Sequence, residues 1–171
     1  MMRPLHYVLP GALGVLLFAA QSQAGPERID YPEGYAEKFV NYLDVDHVAR
    51  KRVRKMYVSP EANEAAQAGA PLPDGTILIM EDHDAEVAAD GAAEMDAEGR
   101  LVPQEAIGNI FVMAKNPEWE TANGNWEYAR FNADGSRPAD ASFEGCFSCH
   151  TSRVERDFTF TYWKFVSDRA R

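Results

Sequence analysis

The sequence predicts a mainly β domain of the α+β class, an antiparallel sheet with a few short helices. Three observations lead there. Apolar runs of strand length occur at 76–80, 109–114 and 126–131, and they are rich in Val, Ile and aromatic residues. Turn chemistry separates them: Pro71-Leu72-Pro73-Asp74-Gly75, Asn123-Gly124 and Ala133-Asp134-Gly135. Helical spacing is confined to two short stretches, 34–44 and 60–68, and there are no internal repeats.

The chain of 171 residues begins with a segment outside the fold. Arg3 supplies a short positive region, and residues 8–20 are apolar. Gln21-Ser22-Gln23-Ala24 puts small residues at the two positions that a signal peptidase reads. Residues 1–24 are expected to be a secretory signal peptide cut after Ala24, since a membrane span needs about 20 apolar residues. No Cys stands near the cut to carry a lipid. Residues 25–171 then form a single domain, exported to the periplasm or beyond; a chain of ~150 residues buries roughly 68–70% of its unfolded surface.

In order along that domain, Tyr35, Phe39, Tyr42 and Leu43 recur at helical spacing, predicting a helix over 34–44. Residues 52–58 alternate and read as a strand. Ser59 as N-cap and Gly69 as stop bracket a helix over 60–68. Residues 76–80 form a strand covered on both faces. Residues 84–108 are rich in Ala, Glu and Asp, with Asp90-Gly91 and Glu98-Gly99 as turns, and read as a surface excursion. Strands at 109–114 and 126–131 follow. Phe158, Phe160 and Tyr162 alternate with Thr159 and Thr161, predicting a last strand.

The formal net charge is −10, and −11 once Arg3 is removed with the signal peptide. Such a surface excludes nucleic acid and anionic lipid as partners and favours a cationic or neutral one, or serves solubility alone.

The chemistry lies in Gly145-Cys146-Phe147-Ser148-Cys149-His150, which contains the chain's two cysteines. Cys-x-x-Cys-His is the attachment pattern of haem c. On a helical turn, residues three and four apart share a face, so Cys146, Cys149 and His150 can address one side of a porphyrin. The two thiols would form thioethers with its vinyl groups, and His150 would be the axial ligand to iron. Two alternatives compete. A structural zinc site needs four ligands, which only His47 and His83 could complete, at the wrong spacing. A disulfide exchanger expects a βαβ pattern, whereas here the motif precedes a predicted strand.

Only 21 residues follow His150, and none is Met or His. The downstream Met ligand of a small electron-carrying cytochrome has no source. Met56, Met80 or Met113 could serve from upstream, although Met80 and Met113 read as strand core. His83 sits among Glu81, Asp82 and Asp84, where an exposed, solvated His is expected. A five-coordinate iron with an open side remains.

Pro73-Asp74-Gly75-Thr76-Ile77-Leu78, Phe111-Val112-Met113-Ala114-Lys115, Asn123-Gly124-Asn125-Trp126-Glu127-Tyr128, the Cys146–His150 motif and Asp157-Phe158-Thr159-Phe160-Thr161 occur in that order. Together they resemble the cytochrome P-460 family, which includes the β-type cytochromes c′. The resemblance runs from about Tyr35 to Tyr162. It implies an antiparallel β fold, one covalent five-coordinate haem c and a homodimer. The P-460 enzymes of this family cross-link a Lys to the porphyrin and oxidise hydroxylamine. Here no Lys occurs between Lys55 and Lys115; Asp82, Asp84 and Glu86 stand there instead. The enzymes also use a distal carboxylate, and Ala114 falls near its expected place, where it cannot act as a base.

Both departures imply the β-type cytochromes c′, which bind nitric oxide or carbon monoxide at an apolar face. Phe39, Phe111, Met80 and Ile79 are candidates to line that face. Arg54 matches an Arg that the family places near the distal side, or is an exposed charge in the basic run 50–55. The rival functions are a hydroxylamine or nitric oxide oxidoreductase with Glu81, Asp82 or Glu86 as acid–base group, and a plain electron carrier with a redox partner protein. A helical-bundle cytochrome c′ is the rival fold, against which the alternation at 158–161 and the apolar strand runs argue.

Overall fold

The computed structural model describes residues 26–119 and 122–171; the expected signal peptide lies outside them. Five strands, β1 (Val40–His47), β2 (Arg52–Val58), β3 (Ile77–Ala85), β4 (Pro103–Lys115) and β5 (Trp126–Asn132), make one antiparallel sheet in chain order. Four short helices accompany it: α1 (Tyr35–Lys38), α2 (Pro60–Ala65), α3 (Glu144–Thr151) and α4 (Tyr162–Arg169). The mainly β expectation therefore holds. No helix among the described residues is long and apolar enough to cross a membrane.

Cross-strand register sorts the side chains into two faces, because partners opposite one another in a ladder point the same way. Met56 pairs with Met80, Met80 with Phe111 and Phe111 with Arg130 on the front face. Tyr57, Ile79, Val112 and Ala129 form the matching row on the back. The back row packs with Ile29, Tyr35, Ile110 and Phe131 into a closed core. At one end of the front face, Val58, Leu78, Met113, Trp126 and Tyr128 pack with α2, Phe158 and α4. The rest of that face has no such filling.

Several sequence expectations change. Within 34–44 only Tyr35–Lys38 is helical; Phe39 is already extended (φ −93°, ψ 157°), and β1 follows. Pairing with β2 overrides the local pattern, and a bulge between Asn41 and Leu43 breaks the alternation that would have marked a strand. The second helix stops at Ala65, and the Ser59 hydroxyl accepts a bond from Ile77 N–H (3.2 Å) instead of capping it. The third strand runs on past Met80 to Ala85, carrying Glu81, Asp82 and His83 into the interior, each 3% exposed. Each finds a polar partner there, which is what lets buried charge persist. The acidic excursion makes two small turns, closed by Val87 against Ala93 and Met95 against Leu101.

The predicted strand at 158–162 does not form. Asp157 (φ 48°) and Phe158 (φ 60°) are left-handed, and Tyr162 opens α4. Phe158 and Tyr162 enter the core at 9% and 0% exposure, whereas Phe160 remains 36% exposed. Their alternation reflects a chain wrapping over the sheet's end, not a strand. The Cys-x-x-Cys-His motif is thus followed by a turn and a helix. The five-stranded sheet by itself excludes a helical bundle.

Candidate functional site

A cavity of about 470 Å³ lies between the front face and the segment 146–162. That is within the ~300–1,000 Å³ range of small-molecule and cofactor sites. All five strands contribute to its floor: Tyr42, Val45 and His47 from β1, Arg54 and Met56 from β2, Leu78 and Met80 from β3, Phe111 and Met113 from β4, Tyr128 from β5. Its roof is Cys146, Cys149, His150 and Phe160.

Helix α3 sets the roof over β5. Glu144 in its first turn suits the positive end of a short helix. Phe147 meets Tyr128 edge-on at 4.8 Å between centroids. Buried Asn123 ties the helix to the β4–β5 loop: its Nδ2 donates to Phe147 O (3.2 Å), and its Oδ1 accepts from Thr151 Oγ1 (2.8 Å). Those anchors turn the face bearing Cys146, Cys149 and His150 toward the cavity. Both thiols are free, and burial pushes the Cys146 thiol up.

His150 is oriented from below. Its Nδ1 lies 2.6 Å from Phe158 O, a carbonyl that can only accept, so Nδ1 carries the hydrogen and donates. The Nε2 lone pair is left for a metal. Burial lowers the pKa of this imidazole, with the Phe158 carbonyl opposing, which favours the neutral, ligating form. The ring packs between Tyr128 (4.9 Å) and Phe160 (5.0 Å).

The Phe158 carbonyl points upward only because Asp157 and Phe158 are both left-handed, a conformation costing about 1–2 kcal/mol per non-Gly residue. A buried clamp holds it. Asp157 Oδ2 accepts from Leu72 N–H (2.8 Å) and from Lys115 Nζ (2.8 Å), and Lys115 also donates to Leu72 O (2.9 Å). Gly124 is part of the same fit: its φ is +62°, and a Cβ there would come within 2.6 Å of the Phe158 ring. Asn123, Gly124, Asp157 and Phe158 were visible in the sequence only as motif letters. Nothing local announced their role, because each acts through a partner remote in the chain.

Arg54 stands in the cavity wall rather than in solvent. Its Nε donates to Asp82 Oδ1 (2.8 Å), and Arg52 Nη1 holds the other oxygen (3.3 Å). Among the other acidic candidates, Glu81 faces the back and accepts from Tyr35 OH and from His83 Nε2 (2.5 Å), while Glu86 is exposed. His83 is therefore buried, not solvated; its Nδ1 meets Gln104 O at 2.9 Å. Ala114 packs in the back-face core, so a carboxylate at 114 would point away from the cavity, and that position does not decide the presence of a base there. Of the expected lining residues, Phe111 and Met80 face the cavity. Ile79 borders it, but its side chain is in the back core, and Phe39 packs on the back.

His47 is at the cavity's far end and His83 on the opposite face, so the four-ligand zinc set does not assemble. No group of three His, Cys, Asp or Glu among the described residues could hold a metal ion. Met56, Met80 and Met113 all border the cavity. No Lys does; Lys55 lies 3.9 Å from Glu81 on the back, and Lys115 is committed to Asp157.

The donor set suits a haem. Two thiols and a neutral imidazole share one helical face over an apolar slot that crosses the sheet, and the imidazole's second nitrogen is already fixed by a carbonyl. A search of curated proteins returned no match. The model of one family, Cytochrome P460, matches residues 32–161. The chain therefore belongs to the cytochrome P460 family and is a haem-binding cytochrome.

Proposed function

We propose that the protein is an exported mono-haem cytochrome c, its haem bonded to Cys146 and Cys149 and ligated by His150, that binds nitric oxide or a similar diatomic gas on an open apolar side. The carrying observation is the cavity itself: an apolar floor of Met56, Leu78, Met80, Phe111 and Met113 directly opposite the face of α3 that bears the motif. When bound, haem supplies an iron that takes up small gases and exchanges single electrons.

The chain's own residues do the rest. Cys146 and Cys149 would hold the cofactor covalently through their two free thiols. His150, its ring fixed by the Phe158 carbonyl, would hold the iron through Nε2. The floor excludes water and ions and admits uncharged diatomics.

Hydroxylamine oxidation of the P-460 type finds less support. No Lys borders the cavity to form a cross-link. No Asp or Glu among the described residues lines the cavity, and Asp82, which holds Arg54 in its wall, has both oxygens occupied by Arg52 and Arg54, so it is not a free base. An electron-carrier reading draws on the three methionines in the wall, any of which would make the iron six-coordinate. Signal-peptide cleavage near Ala24, a periplasmic location, a homodimer and a redox partner belong to the same proposal, and rest on the N-terminal sequence and the family resemblance.

The test is an absorption spectrum of protein matured in a host that assembles c-type cytochromes. The proposal expects high-spin haem in both oxidation states and a new spectrum when nitric oxide meets the reduced protein. A low-spin resting spectrum would favour the carrier; turnover of hydroxylamine with an artificial acceptor would favour the enzyme.

A further inference from the structure

The cavity has a polarity that its function as a gas pocket does not use. The end under α3 lies over β5. The opposite end lies over β1 and β2, three to four strands away, or ~14–19 Å at ~4.8 Å per strand. Apart from His150, the lining residues that carry basic side chains are Arg54 and His47, and both stand at that far end.

Neither side chain is fully engaged. Asp82 is 3% exposed, and it grips Arg54 through Nε alone, at 2.8 Å. Nη1 and Nη2 of Arg54 have no hydrogen-bond partner among the described residues, and neither has the His47 imidazole. Asp82 is itself shared with Arg52, which reaches on to Asp84 at 3.0 Å. The guanidinium is thus locked in place with its forked donor end unspent. A fixed fork of this kind matches a carboxylate in two-point geometry.

A haem carries two carboxylates, on the edge of the ring opposite its two vinyl groups. If the vinyl edge is tethered at Cys146 and Cys149, the carboxylate edge is directed toward β1 and β2. We propose that Arg54 and His47 form the carboxylate-binding end of the slot, with Arg54 as the anchor, Asp82 as its positioning residue and His47 as a second donor. Arg54 then belongs to cofactor recognition and not to the gas-binding side. This inference rests on the haem reading above.

The test is resonance Raman spectroscopy of the pigmented protein, comparing wild type with Arg54→Ala, Arg54→Lys and His47→Ala. Two bands are read: the propionate bending band, which shifts with hydrogen bonding to the carboxylates, and the carbon–oxygen stretch of the ferrous carbon monoxide complex. Arg54→Ala is expected to lower the propionate band, Arg54→Lys to restore part of the shift and His47→Ala to lower it by less, with the carbon–oxygen stretch unmoved. An unmoved propionate band overturns the inference. So does a shift confined to the carbon–oxygen stretch, which would place Arg54 beside the bound gas. Should Arg54→Ala fail to accumulate, the Arg54→Lys and His47→Ala proteins carry the same two readouts. Failure of the haem reading is distinguishable, because the wild type would then be colourless.

Discussion

The two faces of one sheet solve opposite problems with the same five strands. The back face is filled: Tyr57, Ile79, Ile110, Val112 and Phe131 are each 6% exposed or less. It even takes in a carboxylate, Glu81, by giving its oxygens to Tyr35 and His83. The front face is left open over its middle, floored by flexible methionines and roofed by a helix pinned at its edges. One residue later in the same strand, Asp82 faces forward and steadies Arg54. The period of two in β3 thus sends one acid to stabilise the core and its neighbour to shape the site. The site occupies the open middle of the front face, and substitutions there should separate in effect from those in the closed core behind it.

The largest effect is expected at the front. Replacing Cys146 and Cys149 together with Ala should abolish covalent pigment, so that any remaining haem is extracted by acidic acetone; His150→Ala should leave coloured protein scarce. Retention of acid-stable pigment in the double variant would break the assignment.

Next comes the back. Glu81→Ala strands the buried Tyr35 hydroxyl and His83, and should cost about 3–5 kcal/mol in denaturant unfolding. The haem spectrum of the folded variant should be unchanged. The buried phenols behind the sheet reinforce this view: desolvation, first, and then the Glu81 charge raise Tyr57 to about 12, so it is neutral across the working range.

A matched pair sharpens the contrast. Phe131→Ala should cost about 3–5 kcal/mol by opening a void in a closed core. Phe111→Ala enlarges a cavity that already exists and should cost only about 1–2 kcal/mol. Stopped-flow binding of carbon monoxide should respond to the second and not to the first. Equal costs would show the two faces to be packed alike.

The smallest effect concerns the acidic excursion. Arg100 donates to Asp46 from its Nε (2.6 Å) and Nη2 (3.0 Å), and this tie joins the excursion to β1 at the surface. Arg100, first, holds the Asp46 carboxyl below its ordinary value of 3.8. The stabilisation is therefore complete above that pH and is lost as pH falls through the lower folded value. Arg100→Ala should have the smallest effect on stability of the four, because an exposed ion pair is screened by solvent. It should also flatten the acid limb of the stability curve and quicken amide exchange at residues 86–102 without touching the haem spectrum.

The sequence made the sheet legible wherever a strand was continuous and apolar, as in β4 and β5. It concealed β1, because a bulge put Tyr42 and Leu43 out of alternation, and it cut β3 short, because Glu81, Asp82 and His83 look like surface residues until their cross-strand partners are known. The same blindness hid the support of the site. Cys146, Cys149 and His150 announce themselves through spacing alone. Phe158 works through a backbone carbonyl, which no side-chain letter records, and the clamp beneath it joins Leu72, Lys115 and Asp157 from three distant segments. The alternation at 158–162 misled for a related reason: two left-handed residues, not a pleat, send Phe158 inward and Phe160 outward.

The most direct measurement is the spectrum of the alkaline pyridine complex of the purified protein, taken before and after extraction with acidic acetone. The expected band is that of a haem whose two vinyl groups have both been saturated, undiminished by extraction. A band typical of intact vinyl groups, or pigment that leaves with the solvent, would contradict covalent attachment.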